Sequence, residues 1–359
     1  MGDIDFRKMS PTAVAYFLEH QDERKNPSWK RRSHRFCPSV STDTIHDLND
    51  ALFLSLLSYA DTAEEIREGL DGFKTPYELA ACTVLSDPGE PAHFVAVKRD
   101  QKSNSKYKRV SSSLKVVIGV RGTKSAADAI TDLLCDTAEY RGGKAHAMIL
   151  KAGKYIAEKH IELLDRLRET AGKKTVKITL IGHSLGAGAA SIAGMEIKAM
   201  EHPKMIVKQV IGFGCPALLS EELAEETSSF ITTVVNDSDV VPRMSGVSVA
   251  NLLLDIMAFD WYDYAETDLH NALAELRKRH SFLIRDSTVT RIEQAVLPLL
   301  KNHMESTIIP KRTERLTPEV YPPGSCIHFY HDGRGVSASY VPNTFFAEVD
   351  VTRRMIDGS

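Results

Sequence analysis

Cysteine is sparse in this chain of 359 residues. Cys37, Cys82, Cys135, Cys215 and Cys326 lie far apart, odd in number and without Cys-x-x-Cys spacing, which argues against a disulfide framework and for a reducing compartment. They read as core thiols. An excess of charge of either sign is also missing: 45 basic and 48 acidic side chains leave a net charge of -3, so no overall field calls for nucleic acid. Nor is there a run of about 18 uninterrupted apolar residues, and the opening MGDIDFRKMS has no apolar signal region. The expectation is a cytoplasmic chain without a membrane span. Gly2 is not a persuasive myristoylation site, because Phe6 stands where that pattern wants Ser or Thr. Repeats and low-complexity tracts are lacking too. What remains, 43% hydrophobic and 26% charged residues, suits one large globular domain with or without appendages.

Residues 1–41 read as a polar, basic tail with RKNPSWKRRSHRF around Trp29; such a cluster is either a solvated tail or a contact with anionic lipid. A single large domain is expected over 42–359. It begins with TDTIHDLNDALFLSLLSYA, where Thr42 is a plausible cap and Ile45, Leu48, Leu52 and Leu56 share one helical face. From about residue 78, the strands HFVAVKR, LKVVIGV, VKITLIG, VKQVIGFG and FITTVVN alternate with helices near 125–134, 146–170, 185–200 and 219–227. Short apolar strands between amphipathic helices predict an α/β layered, mostly parallel sheet covered on both faces. Residues about 245–318 predict an inserted helical region, with its later helices cut at Pro298, that either shapes an acyl groove or extends the core. The last segment predicts one or two final strands.

Three motifs carry chemistry. LIGHSLGAG places Ser184 between glycines where an apolar strand meets a small-residue helix, the setting of a strained nucleophile elbow. The helix start directs free N–H groups at that serine, so the Leu185 amide can hold a developing oxyanion. VVIGVRGTKSAADAITDLL ends a strand at Arg121-Gly122-Thr123, which makes Thr123 the second oxyanion candidate and also a candidate helix cap. FITTVVNDSDVVPRMS places Asp237 and Asp239 just past a strand downstream of the serine, in the chain order Ser, acid, His. The two acids compete for the role of orienting an imidazole.

GHSLGAG, RGTKSAADAITDLLCDTAE, CPALLSEELAEETSSFITTVV and DSDVVPR together resemble the class 3 (fungal-type) lipase domain, nearest its branch of sn-1-specific diacylglycerol lipases, over roughly residues 90–260 and again near YPPGSCIHFYH. The resemblance implies an α/β-hydrolase fold, with Ser184 as nucleophile, Asp239 as triad acid and Thr123 with Leu185 as oxyanion hole. It also implies a serine esterase for acylglycerol lipids that needs no metal or organic cofactor, with peripheral contact to a membrane or lipid droplet and no obligate protein partner. Two features depart from the family: the transmembrane bundle of membrane-bound diacylglycerol lipases has no counterpart, and the lid connection between DLLCD and GKAHAM is short.

A serine hydroxyl needs a base. Five histidines follow Asp239: His270, His280, His303, His328 and His331. The resemblance places the base on a loop after the last strand; matching FFAEVDVTRRMID to that strand puts it at or just past Gly358-Ser359. His328 and His331 are the alternatives in CIHFYHDG, facing opposite ways on a strand, and His183 cannot act as base from the position beside the nucleophile. The rival to an esterase is a lipase-like protein that binds a lipid or another protein without turnover.

Overall fold

Alternation along the predicted strands decides which layer each side chain enters. A computed structural model describes residues 9–20, 34–99, 111–123, 136–280, 285–310, 314, 316–331, 335–347 and 349. Its strands are β1 (Tyr77–Thr83), β2 (His93–Lys98), β3 (Ser113–Val120), β4 (Thr137–Tyr140), β5 (Gly143–His146), β6 (Thr175–His183), β7 (Met205–Phe213), β8 (Ile231–Asn236), β9 (Ser325–His331) and β10 (Val336–Val341). Strands β4 and β5 pair as a short hairpin, and the others form an eight-stranded sheet in the order β1-β2-β3-β6-β7-β8-β9-β10. The run from β3 to β9 is parallel, and antiparallel pairs flank it on both sides. This is the expected α/β, mostly parallel architecture.

Val116, Ile118 and Val120 of β3 and Val176, Ile178 and Leu180 of β6 enter one layer. Helices α4 (Ala147–Thr170) and α5 (Leu185–Ala199) cover it with Ile149, Ile156, Leu164 and Ile192. Val117 and Ile181 point the other way and meet α2 (Thr42–Leu57) and α3 (Ala63–Asp71) through Leu48, Ala51, Leu54, Ile66 and Leu70. Each fully buried Ile or Leu contributes about 1.5–3 kcal/mol, so the two layers hold the sheet from both sides.

In α2 the buried stripe differs from the predicted one. Leu48, Ala51, Leu54 and Ser55 are buried, whereas Ile45, Leu52 and Leu56 are 39%, 37% and 52% exposed. The helix is apolar on more than one side, and the small Ala51 and Ser55 let the other side approach the sheet. Its cap is Ser41, whose hydroxyl accepts the Thr44 N–H at 3.2 Å, not Thr42. The predicted helix at 125–134 lies outside the described residues; short α6 (Glu221–Glu226) occupies the predicted 219–227.

The chain divides into two compact units. One comprises residues 31–246 and 317–349 and contains the sheet; the other comprises 1–30, 247–316 and 350–359. In the second unit, α1 (Pro11–Glu19) lies inside the stretch read as a polar tail. Ser10 caps it, Pro11 opens it, and Ala13 and Phe17 are buried in a cluster with Ile256, Trp261, Ala265 and Met304. The remaining helices are α7 (Gly246–Met257), α8 (Tyr262–Arg279) and α9 (Asp286–Thr307). Pro298 does not cut α9, which runs through it. Proline removes one N–H, and both Pro298 and Gln294, whose carbonyl loses that donor, are exposed, so water can replace the bond.

Candidate active site

Strand register brings the candidate residues to one edge. In the parallel run, Val120 pairs with Gly182, His183 with Phe213 and Phe213 with Val234. Arg121-Gly122-Thr123, Ser184, Gly214 and the 236–239 turn therefore all leave the sheet at its carboxyl end.

Ser184 joins β6 to α5 with φ 56° and ψ -132°, a left-handed conformation that costs a residue with a Cβ on the order of 1–3 kcal/mol. Neighbours hold it there. The Ser184 N–H donates to the Phe213 carbonyl at 2.8 Å, and the Ala187 N–H donates to the Ser184 carbonyl at 2.9 Å. Gly186 makes the close approach possible, because a Cβ on it would stand 2.7 Å from the Gly122 nitrogen. That contact sets the start of α5 against the end of β3. Leu185 and Thr123 are each one residue from that contact, and the first N–H groups of a helix have no acceptor within the helix.

Asp239 lies three residues past β8. Its Oδ1 accepts the Val241 N–H at 3.0 Å. Burial of the carboxyl raises its pKa, opposed by that N–H and by His183 and Arg243. Its Oδ2 and the His183 Nε2 lie 2.8 and 4.0 Å from the point where a Cβ on Gly214 would stand, and Gly214 itself has φ +56°. His183 keeps solvent access, yet the protein around its ring lowers its pKa, with Asp239 acting in the opposite sense. The imidazole is therefore neutral near pH 7.

Sequence reasoning missed Tyr59. Its hydroxyl lies 2.8 Å from His183 Nδ1. A neutral ring whose Nδ1 accepts the phenol O–H carries its own proton on Nε2. A methyl on Gly122 would come within 2.6 Å of the Tyr59 hydroxyl and 3.2 Å of Ser184 Cβ, so the phenol stands beside Ser184. Burial raises the Tyr59 pKa and keeps the phenol protonated. A tyrosine just past a helix has no periodicity to mark it; only the fold brings it to the elbow.

The two alternative histidines lie elsewhere. His328 is buried, with Nε2 2.8 Å from the Asp237 carbonyl and Nδ1 2.9 Å from His34 Nε2. His331 is exposed at the end of β9, paired with Val336. Phe345 and Phe346, matched above to a final strand, lie instead in a 3-10 turn over Asn343–Phe346; the last described strand is β10. Asn343 explains the turn: its side-chain amide donates to the Pro322 and Gly324 carbonyls and folds the chain back before a strand can extend. Gly358-Ser359 lie outside the described residues. Among the described residues, no group of three or more His, Cys, Asp or Glu could hold a metal ion, and no helix is long and apolar enough to cross a membrane.

Residues 117–249 match the family model described as Lipase (class 3). The chain is 34% identical over 193 residues to diacylglycerol lipase-alpha of Homo sapiens, covering 50% of this chain and 17% of that protein. It is 31% identical over 146 residues to diacylglycerol lipase-beta of Mus musculus, covering 38% and 21%. The chain therefore spans about a fifth of the length of these relatives. Among solved structures, the Rhizomucor miehei lipase propeptide complex superposes with TM-score 0.51 at 14% identity, over 88% of this chain and 79% of that one. A triacylglycerol lipase described with a serine-protease triad as its catalytic centre superposes with TM-score 0.50 at 13% identity, over 85% and 87%. At such identities the superpositions show a shared fold, the α/β-hydrolase fold of lipases.

Proposed function

With a class 3 lipase segment over residues 117–249 as premise, we propose that this protein hydrolyses ester bonds of acylglycerol-type lipids through an acyl-enzyme on Ser184. The observation that carries this reading is the elbow: a non-glycine residue at φ 56° between a central parallel strand and a helix, with Gly186 packed on the end of β3. Ser184 attacks the ester carbonyl, and the N–H groups of Leu185 and Thr123 receive the oxyanion. The imidazole that Asp239 orients, expected on a loop after the last strand, takes the serine proton and gives it to the departing glycerol alcohol as the tetrahedral intermediate collapses to the acyl-enzyme; water then releases the fatty acid. No metal or organic cofactor enters this chemistry, and the lipid is met by peripheral contact with a membrane or droplet. Hydrolysis of a short-chain p-nitrophenyl ester by purified protein tests the reading: Ser184→Ala abolishes it, and unchanged hydrolysis refutes it.

One observation favours a second reading, a lipase-like protein that binds lipid without turnover. Among the described residues, no histidine hydrogen-bonds to Ser184 or Asp239. A fluorophosphonate probe separates the two, because labelling of Ser184 requires an activated serine and well-folded protein that resists it supports the binding protein.

A further inference from the structure

The turn that carries Asp239 is held by the neighbouring Arg243 and by side chains from two distant parts of the chain, His328 and, behind it, His34. Asp237 has φ 41°, a left-handed conformation for a residue with a Cβ, and backbone bonds anchor the turn at both ends: Asp237 N–H to the Phe329 carbonyl at 2.7 Å and Asp239 N–H to the Asn236 carbonyl at 2.9 Å. Between those anchors, the Asp237 carbonyl accepts from His328 Nε2 at 2.8 Å and from Arg243 at 3.3 Å. The same guanidinium donates to the Asp239 carbonyl at 3.2 Å and lies over the Phe346 ring. His34 completes the arrangement. Its Nε2 is 2.9 Å from His328 Nδ1, and its ring stacks on Tyr330 with centroids 3.6 Å apart.

A carbonyl only accepts, so His328 must carry its proton on Nε2. Burial pushes its pKa down to about 4, so the ring is neutral and Nδ1 is an acceptor. His34, whose pKa burial also lowers, supplies the Nε2–H that Nδ1 needs. Both nitrogens of His328 are thereby committed, and neither is available to take a proton from Ser184.

We infer that His328 is a positioning residue: with His34 and Arg243 it holds the strained Asp237 turn so that the Asp239 carboxyl faces the site. The inference rests on the ester-hydrolase reading and adds to it a second layer of support for the acid. A residue whose two ring nitrogens bridge a backbone carbonyl and a second imidazole transmits the position of the His34 segment to the acid turn.

The test is the second-order rate of fluorophosphonate labelling of Ser184 in the full chain, with folding checked by circular dichroism. His328→Gln keeps an N–H donor near Nε2 and is expected to label within about threefold of wild type, whereas His328→Leu slows labelling by about tenfold or more. In an Asp239→Asn background, His328→Leu adds nothing, because its effect passes through the acid. Wild-type labelling by His328→Leu overturns the inference, as does an equal loss in the presence and absence of Asp239. Complete loss in His328→Gln marks His328 as the base and also overturns it. A wild-type chain that does not label refutes the ester-hydrolase reading and this inference together; a labelling wild type with indifferent His328 variants refutes the inference alone. Should His328→Leu not fold, nitrogen-15 imidazole spectra of the wild type decide: a neutral ring protonated on Nε2 supports the arrangement, and protonation on Nδ1 overturns it.

Discussion

Ser184 and Asp239 stand at the same sheet edge on unlike supports. The serine follows β6, which pairs with β3 on one side and β7 on the other, and it opens a helix buried against α4. Backbone hydrogen bonds and a glycine contact hold it. The acid sits in a turn past β8 whose carbonyls are gripped by Arg243, His328 and, behind the latter, His34. A site held by backbone tolerates change in most neighbouring side chains and fails when one glycine gains a side chain. A site held by side chains can be loosened one residue at a time without losing the fold.

The largest effects test the serine side. Ser184→Ala is expected to reduce ester hydrolysis by about 10⁶-fold, down to the residue that binding and oxyanion donors supply. Gly186→Val is expected to prevent stable folding, since its side chain collides with Val120 and Arg121 backbone; a normal urea midpoint would break the contrast drawn here. On the acid side, Asp239→Asn should lower turnover by about 10⁴-fold while leaving the urea midpoint close to wild type. A midpoint that collapses with it would mean the turn depends on the carboxylate rather than on its clamps.

Smaller effects sharpen the picture. The depressed pKa of His328, about 4 against an ordinary 6.5, favours the neutral ring in the folded chain. The unfolded chain takes up the proton first, so this group's contribution is full above pH 6.5 and lost as pH falls toward 4, by at most about 3 kcal/mol. His160, pushed down to about 3 by burial, acts in the same direction. Urea unfolding across that window should show the decline, and His328→Gln should flatten part of it. Tyr59→Phe should cost least: it keeps the ring and loses the hydrogen bond to His183, for about 1 kcal/mol of stability and a fall of about three- to tenfold in labelling rate. No change in either quantity would remove Tyr59 from the site.

Much of the serine side was legible because it is local. The run 176–188 contains strand, elbow and helix in order, and short-range sterics dictate that order. The acid side was half legible. Asp237 and Asp239 were both in view, yet what separates them, a carboxyl turned toward His183 against a carbonyl seized by His328, depends on chain ninety residues away. The stripe of α2 was misjudged for a similar reason: periodicity shows that a helix is apolar, while the sheet selects the side that docks. Pro298 looked like a break because its missing donor was counted and the water available to the exposed Gln294 carbonyl was not. Tyr59 and His34 carried no signal at all.

By itself the sequence determined the alternation of strands and helices, the parallel sheet, and the serine on its turn, because periodicity and glycine sterics act over a few residues. Only the tertiary structure decided what stands around that serine. Register across β3, β6, β7 and β8 assembled the edge, and contacts between residues 59 and 183, and among 34, 237, 243 and 328, gave it a phenol on His183 and a clamped acid turn. Such partners are chosen by position in space, after burial has removed the water that would otherwise satisfy them.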